Sequence, residues 1–337
     1  MKKLLKVSLV LVVIVIVLGS YTRLTDAGLG CPDWPGCYGF MAVPHAPDSV
    51  AEAEARFPER PVDHFKAWNE MIHRYAAGLL GLLVLTIAGL AIKRQRQLPA
   101  GAAGTRPFKL PLFLAALIIF QALLGMWTVT MMLQPAIVMA HLLGGFSTFS
   151  LLALLYLREQ QPLAPHPPQG LPRGLFTLAW VTFAVVVLQV ALGGWVAANY
   201  AALACTELPV CEGNWRERLD FAGAFSIPPA EDYEFGVHSY AERMTMHVSH
   251  RFGAVLVILA IMALSVQLLR HRLGQVYDRL AWSLLALLVI QVILGVTNVV
   301  ATLPLKVAVA HNAVGAFMTV TLVVLLYFLY KSRITTK

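Results

Sequence analysis

Long apolar segments and polar connections alternate along the 337 residues of the chain. A helix needs about 20 mostly apolar residues to span the hydrocarbon core of a membrane. Eight segments meet this requirement, and they cover residues 4–22, 67–92, 110–132, 136–157, 174–198, 244–269, 280–302 and 305–330. The pattern therefore predicts an all-α integral membrane protein with eight transmembrane helices.

The first of these segments has two interpretations. Lys2, Lys3 and Lys6 precede an apolar run, as they would in a secretory signal peptide. However, the run continues to Leu18, and no small-residue cleavage site follows it. We therefore predict that the first segment is retained as a transmembrane helix.

The two halves of the chain resemble each other. Residues 19–37 align without a gap with residues 193–211, and further matches follow in the later segments. The matched pairs are Gly19 and Gly193, Ala27 and Ala201, Leu29 and Leu203, Cys31 and Cys205, Pro35 and Pro209, Cys37 and Cys211, His73 and His250, Gln121 and Gln291, Gly125 and Gly295, and His141 and His311. We predict two pseudo-symmetric four-helix bundles, in residues 1–160 and 174–337, joined by a Pro-rich linker over 161–173.

The charges indicate how the helices are oriented. Most of the 26 basic residues fall at the chain ends and in the connections after the second, fourth and sixth segments. Basic residues favour the cytoplasmic side of a membrane. We expect a multi-pass protein of a bacterial inner membrane, with both termini cytoplasmic and the long loops 23–66 and 199–243 periplasmic. The net charge of +8 is then a topology signal, so the predicted partner is the lipid bilayer and no nucleic acid is implied.

Four histidines lie at repeat-related positions within the predicted helices: His73, His141, His250 and His311. In the predicted topology each half presents two imidazoles at similar depth on parallel helices. Facing histidines in a four-helix bundle are a common way to bind haem iron from both sides. A histidine can instead bond a neighbouring helix, and a zinc site would need further ligands to complete a tetrahedron. The duplication favours haem.

Arg74 and Arg251 each follow one of these histidines directly. A guanidinium at this level could bind the haem propionates through charge-assisted hydrogen bonds. The alternative is that both side chains reach out to the lipid headgroups. They are therefore candidate propionate-binding residues.

The halves differ three residues before the first histidine of each pair. Glu70 stands on the same helix face as His73, whereas the matching position holds His247. This difference suggests that the first half carries out chemistry while the second carries electrons. Glu70 could also have a structural role, such as bonding another helix. His247 could be an alternative ligand, but we rank it below His250 because the first half has no counterpart.

All four cysteines lie in the long loops, as Cys31 with Cys37 and Cys205 with Cys211. An oxidising outer compartment allows two local disulfide bonds. A redox or haem-transfer role for these cysteines stays open. Their spacing differs from the C-x-x-C-H motif, so covalent attachment of haem is not expected.

Two motifs resemble those of the haem A synthase family of bacterial and mitochondrial inner membranes. The run Thr22 to Pro35 resembles the opening signature of the family, and Glu70-Met71-Ile72-His73-Arg74 resembles its glutamate–x–x–His–Arg element. The resemblance covers essentially all eight segments. It implies an oxidoreductase that converts a ring methyl of haem O, via a hydroxymethyl, to the formyl group of haem A for cytochrome oxidase.

By the same resemblance, the first half receives haem O as substrate, with His73 and His141 as ligands and Glu70 as the catalytic residue. The second half holds a haem b cofactor through His250 and His311. Expected partners are haem O synthase and cytochrome oxidase assembly factors, while homo-oligomerisation, the oxygen source and the electron acceptor stay open. The alternatives are a membrane di-haem b-type electron carrier and a haem-binding chaperone or transporter.

Overall fold

A computed structural model describes residues 1–97, 108–160 and 171–335 of the chain. Within these ranges there is no β-strand, which confirms the predicted all-α class. The α-helices in chain order are α1 (Lys2–Leu24), α2 (Pro47–Arg56), α3 (His64–Arg96), α4 (Lys109–Thr130), α5 (Pro135–Gln160), α6 (Leu175–Ala198), α7 (Phe221–Ala224), α8 (Tyr240–Arg270), α9 (Gln275–Val300) and α10 (Leu305–Thr335).

Eight helices in the described part of the chain are long and apolar enough to cross a membrane. They are all the α-helices except the short α2 and α7, and each overlaps one of the predicted segments. The helix α3 has 33 residues, which at 1.5 Å per residue is about 50 Å. Because the hydrocarbon core is only about 30 Å thick, the ends of α3 extend beyond it.

The chain divides into two compact units. Unit 1 comprises Met1–Gln160 together with Glu231–Glu234, and unit 2 comprises Gln161–Ala230 together with Phe235–Lys337. The predicted linker 161–173 lies outside the described residues except for its last three positions. The roles assigned to the two halves stay a prediction.

The four long helices of unit 1 form a closed ring of neighbours. Helix α1 packs against α3 and α5, and α4 packs against the same two helices. In the long loop between α1 and α3, Cys31 and Cys37 form a disulfide bond. The buried disulfide packs against Ala67 and Met71, in the first turns of α3. The loop is thereby placed at the histidine-bearing end of that helix.

Unit 2 has the same internal arrangement. Helix α6 packs against α8 and α10, and α9 packs against the same two helices. The disulfide between Cys205 and Cys211 is buried against Met244 and Val248 of α8. An apolar core fills the opposite end of the ring, and its fully buried members include Ile261, Leu264, Leu268, Leu284, Leu322 and Leu325.

Candidate functional site

The first histidine pair meets inside unit 1. His73 of α3 and His141 of α5 have ring centroids 6.4 Å apart, and the ring planes are close to perpendicular, at 86°. The Nδ1 atoms of both rings are buried, and neither makes a hydrogen bond to a side chain among the described residues. Both imidazoles thus lie without a polar side-chain partner in an apolar setting, as a pair of ligands for a bound group would.

This spacing fits an iron atom between the two rings. Two metal–nitrogen bonds of about 2 Å, added to the radii of the imidazoles, place the ring centres roughly 6 Å apart. Neutral imidazoles facing one another are the donor set of a bis-histidine haem. A direct hydrogen bond between the rings would need a shorter distance. The residues present in unit 1 thus fit a haem.

Glycines on the neighbouring helices make room for these imidazoles. A Cβ atom built on Gly19 of α1 would lie 2.9 Å from Cε1 of His73, which is too close for an unshifted ring. A Cβ on Gly125 of α4 would lie 3.6 Å from Cε1 of His141. Bare backbone at these two positions lets α1 and α4 approach the rings closely.

Unit 2 repeats the arrangement with its own residues. His250 of α8 and His311 of α10 are close enough to interact electrostatically. A Cβ on Gly193 would lie 3.0 Å from Cε1 of His250, and a Cβ on Gly295 would lie 3.3 Å from Cε1 of His311. The structure therefore places all four predicted histidines against glycines in repeat-related positions. His250 and His311 are the residues that would hold a haem in unit 2, and Nε2 of Gln291 lies 3.3 Å from Nε2 of His311.

Sequence reasoning missed Gln189 of α6, which contacts a predicted ligand. Its Nε2 atom lies 3.0 Å from Nδ1 of His250 and donates to the main-chain carbonyl of His250 at 2.9 Å. The position aligned with Gln189 in the first half is Val15, whose side chain cannot make these contacts. An amide in an otherwise apolar predicted helix was the signal that could have found it.

Glu70 is buried at the start of α3, with only 5% of its surface exposed. Its Oε2 atom accepts a hydrogen bond from the backbone N–H of Cys31 at 2.8 Å. Its Oε1 atom pairs with Nη2 of Arg74 at 2.5 Å. Charged and backbone donors thus compensate the burial of the carboxylate. Among the described residues Glu70 bonds to the disulfide loop and to Arg74 of its own helix, so both the structural role and the catalytic role considered for it stay predictions.

The second unit carries its carboxylate on the loop instead of the helix. His247, at the position of Glu70, is buried, and its Nδ1 has no partner among the described residues. Glu212, which follows Cys211, accepts hydrogen bonds from the hydroxyl and the backbone N–H of Thr206. These bonds, led by that from the hydroxyl, lower the pKa of Glu212 to about 2. This carboxylate is therefore ionised at neutral pH, and its hydrogen bonds lie within the disulfide loop.

The two candidate propionate-binding arginines donate to the disulfide loops. Arg74 donates to the main-chain oxygens of Asp33, at 2.9 Å, and Gly36. Arg251 donates to the main-chain oxygens of Glu207, at 2.7 Å, and Cys205, at 2.8 Å. Binding of haem propionates by these residues stays a prediction.

The chain matches the COX15-CtaA family, whose description is cytochrome oxidase assembly protein, over residues 2–324. It belongs to this family. The match confirms the resemblance stated from the Glu70–Arg74 element and the first loop.

Three haem A synthases align with most or nearly all of the chain. The haem A synthase of Shewanella oneidensis is 48% identical over 335 residues, which cover 99% of this chain and 98% of the relative. The haem A synthase of Halalkalibacterium halodurans is 28% identical over 330 residues, covering 95% and 94%. The haem A synthase of a Chelativorans species is 26% identical, covering 89% and 83%.

Proposed function

We propose that this protein is a membrane oxidoreductase that converts haem O to haem A. A ring methyl is oxidised to a hydroxymethyl and then to a formyl group. The observation that carries the proposal is the near full-length similarity to the Shewanella haem A synthase. Oxidation of an unactivated methyl group needs redox chemistry that amino-acid side chains lack, and paired buried histidines are suited to bind a redox-active haem.

Unit 1 is the proposed substrate site. His73 and His141 bind the iron of haem O, and the 6.4 Å between their ring centres supports this role. Glu70 lies one helical turn from His73, and we assign its carboxylate, which accepts bonds from Arg74 and Cys31, to the reacting edge of the bound ring. There it accepts a proton or stabilises positive charge that develops at the reacting carbon.

Unit 2 is the proposed site of a resident haem b. His250 and His311 would hold the iron, and haem b when bound supplies one-electron transfer. Gln189 lies against the Nδ1 edge of His250, at 3.0 Å, where an amide contact can hold the orientation of a ligating imidazole.

The charges give the proposed membrane orientation. We place both termini in the cytoplasm and the two disulfide loops in the periplasm of a bacterial inner membrane, because basic residues concentrate at the termini and in the connections after the second, fourth and sixth spanning helices. Haem O synthase is the expected supplier of the substrate. Assembly factors of cytochrome oxidase are the expected recipients of the product.

Co-expression tests the proposal. The chain is produced in bacterial cells that make haem O but no haem A, and the pigments are extracted and separated by chromatography. Haem A that appears only with the chain supports the synthase. A purified protein that contains haem b and makes no haem A would favour the electron carrier, and unchanged haem O bound to the protein would favour a chaperone or transporter.

A further inference from the structure

Arg74 connects the disulfide loop of unit 1 to Glu70. Its Nη1 atom donates to the main-chain oxygens of Asp33 at 2.9 Å, Pro35 at 3.3 Å and Gly36 at 2.5 Å. Its Nη2 atom pairs with Glu70. The three carbonyls lie between Cys31 and Cys37, inside the ring closed by the disulfide. One side chain, 11% exposed, thus joins the loop to the carboxylate.

Arg251 makes the matching contacts in unit 2. Its Nη1 atom donates to the main-chain oxygens of Glu207 at 2.7 Å and Pro209 at 3.5 Å. These residues align with Asp33 and Pro35 in the internal repeat. The same two carbonyls are therefore bound by the same arginine in each half. Such a duplicated contact is a feature of the fold and not an accident of one loop.

The guanidinium is the group that suits this task. It is planar, permanently charged and carries five N–H donors, so one Arg can serve several carbonyls and a carboxylate at once. A Lys ammonium has only three donors on a single atom. The carbonyls of a tight loop have few other partners, and a buried carbonyl without a donor costs about 1–3 kcal/mol.

The two loops differ where the carboxylate is bound. A Cβ on Gly30 would lie 2.4 Å from the carbonyl carbon of Lys66, so only glycine lets the loop backbone touch α3 here. This approach brings the backbone N–H of Cys31 to Glu70. The second half has Ala204 at the position of Gly30 and His247 at the position of Glu70. In the second half, Nη2 of Arg251 donates to the main-chain carbonyl of Cys205 and not to a carboxylate.

From these contacts we propose that Arg74 is a positioning residue that fixes Glu70 by tying it to the Cys31–Cys37 loop, while Arg251 only holds the Cys205–Cys211 loop in place. The assignment rests on the proposed function, because it gives Glu70 a catalytic role. In this proposal, both guanidinium groups bind protein oxygens and do not bind haem propionates. Each arginine then acts through protein atoms and does not touch the haem.

Steady-state kinetics separate the two roles. We compare Arg74→Gln and Arg74→Lys with the wild-type full-length protein in the conversion of haem O to haem A. A misplaced Glu70 should lower kcat by roughly 100-fold in Arg74→Gln and leave KM for haem O within about threefold. Arg74→Lys should recover part of kcat, because it keeps a charge beside Glu70 but serves fewer carbonyls. A raised KM with unchanged kcat would support propionate binding and overturn the proposal.

Hydrogen exchange measured without added haem O gives a second readout. Arg74→Gln should speed amide exchange in residues 31–39 at least tenfold and leave residues 205–211 unchanged, and Arg251→Gln should do the reverse. Unchanged exchange in both loops would overturn the proposal even if activity falls. Arg94→Gln, at the far end of α3, is the matched control and should alter neither loop, because Arg94 pairs with Glu159.

The kinetic and exchange experiments together distinguish a failure of this proposal from a failure of the proposed function. If the wild-type chain makes no haem A, the synthase assignment fails, and the exchange experiment still decides whether the arginines hold the loops. If haem A is made but the kinetic and exchange results contradict the positioning role of Arg74, only the assignment of Arg74 and Arg251 fails.

Discussion

Glu70 shows at the scale of one residue how a carboxylate can be kept buried near the proposed haem site. Burying a carboxylate is expensive unless donors compensate for the lost water. Here the compensation comes from Arg74 and from the backbone N–H of Cys31. One donor is a backbone N–H of the disulfide loop, and the other is Arg74, which also donates to that loop. The loop is therefore part of the environment that defines the state of Glu70.

Replacing Glu70 by Gln tests its proposed role. The amide keeps the size of the side chain but cannot accept a proton, so we expect haem A formation to fall by about 10²–10⁴-fold. Pigment extraction measures the product, and the visible spectrum of the haem b proposed for unit 2 should be unchanged. Glu52→Gln, an exposed carboxylate on α2 that pairs with Arg56, should retain full activity. Wild-type activity in Glu70→Gln would remove this residue from the reaction.

The glycines beside the imidazoles give a second prediction. In Gly193→Val the added side chain would collide with His250, so the purified protein should lose most of the haem proposed for unit 2. Soret absorbance per mole of protein measures the loss. Gly89→Ala is the control, because a Cβ on Gly89 meets nothing within 4 Å and Ala favours the helix. Full haem content in Gly193→Val would show that His250 is not packed as described.

At the scale of elements, the loop of unit 2 should respond to acid. The pKa of Glu212 is about 2 in the folded protein, below its ordinary value of 4.5, because Thr206 donates hydrogen bonds to it. A lowered pKa stabilises the loop at neutral pH, and this contribution is lost as the pH falls from about 5 to 2.

Pepsin cleavage at several acidic pH values can measure this dependence. Glu212→Gln mimics the protonated acid, so its loop should be cut faster than that of the wild type near pH 5. The ratio of the two cleavage rates should approach one near pH 2. A ratio that stays constant over this range would show that the charge of Glu212 does not order the loop.

The elements also show what a sequence can predict. Each spanning helix was predictable because hydropathy is a sum over about 20 residues and tolerates local error. The short helix α2 was not, because its residues are mostly exposed and include no long apolar run. The four histidines could be found through the repeat. The contacts of Gln189 and Arg74 could not, since they depend on side-chain direction and on the path of a folded loop.

At the scale of the whole molecule, the spanning helices and charges predict a topology. Alkaline phosphatase inserted after the exposed Glu59 should be active, because the enzyme needs an oxidising compartment and the loop is expected in the periplasm. The same reporter at the C-terminus should be inactive, whereas a fluorescent protein fused there should fluoresce. The opposite pattern at both sites would reverse the proposed orientation.

Each unit contains four spanning helices among the described residues. A half with an even number of crossings ends on the side from which it started. Copying such a half and joining the copies end to end leaves both in the same orientation, so the ancestral gene could double without any change in membrane insertion. For the same reason, the halves could be produced from separate genes, which would let one haem site be altered while the other keeps its native sequence.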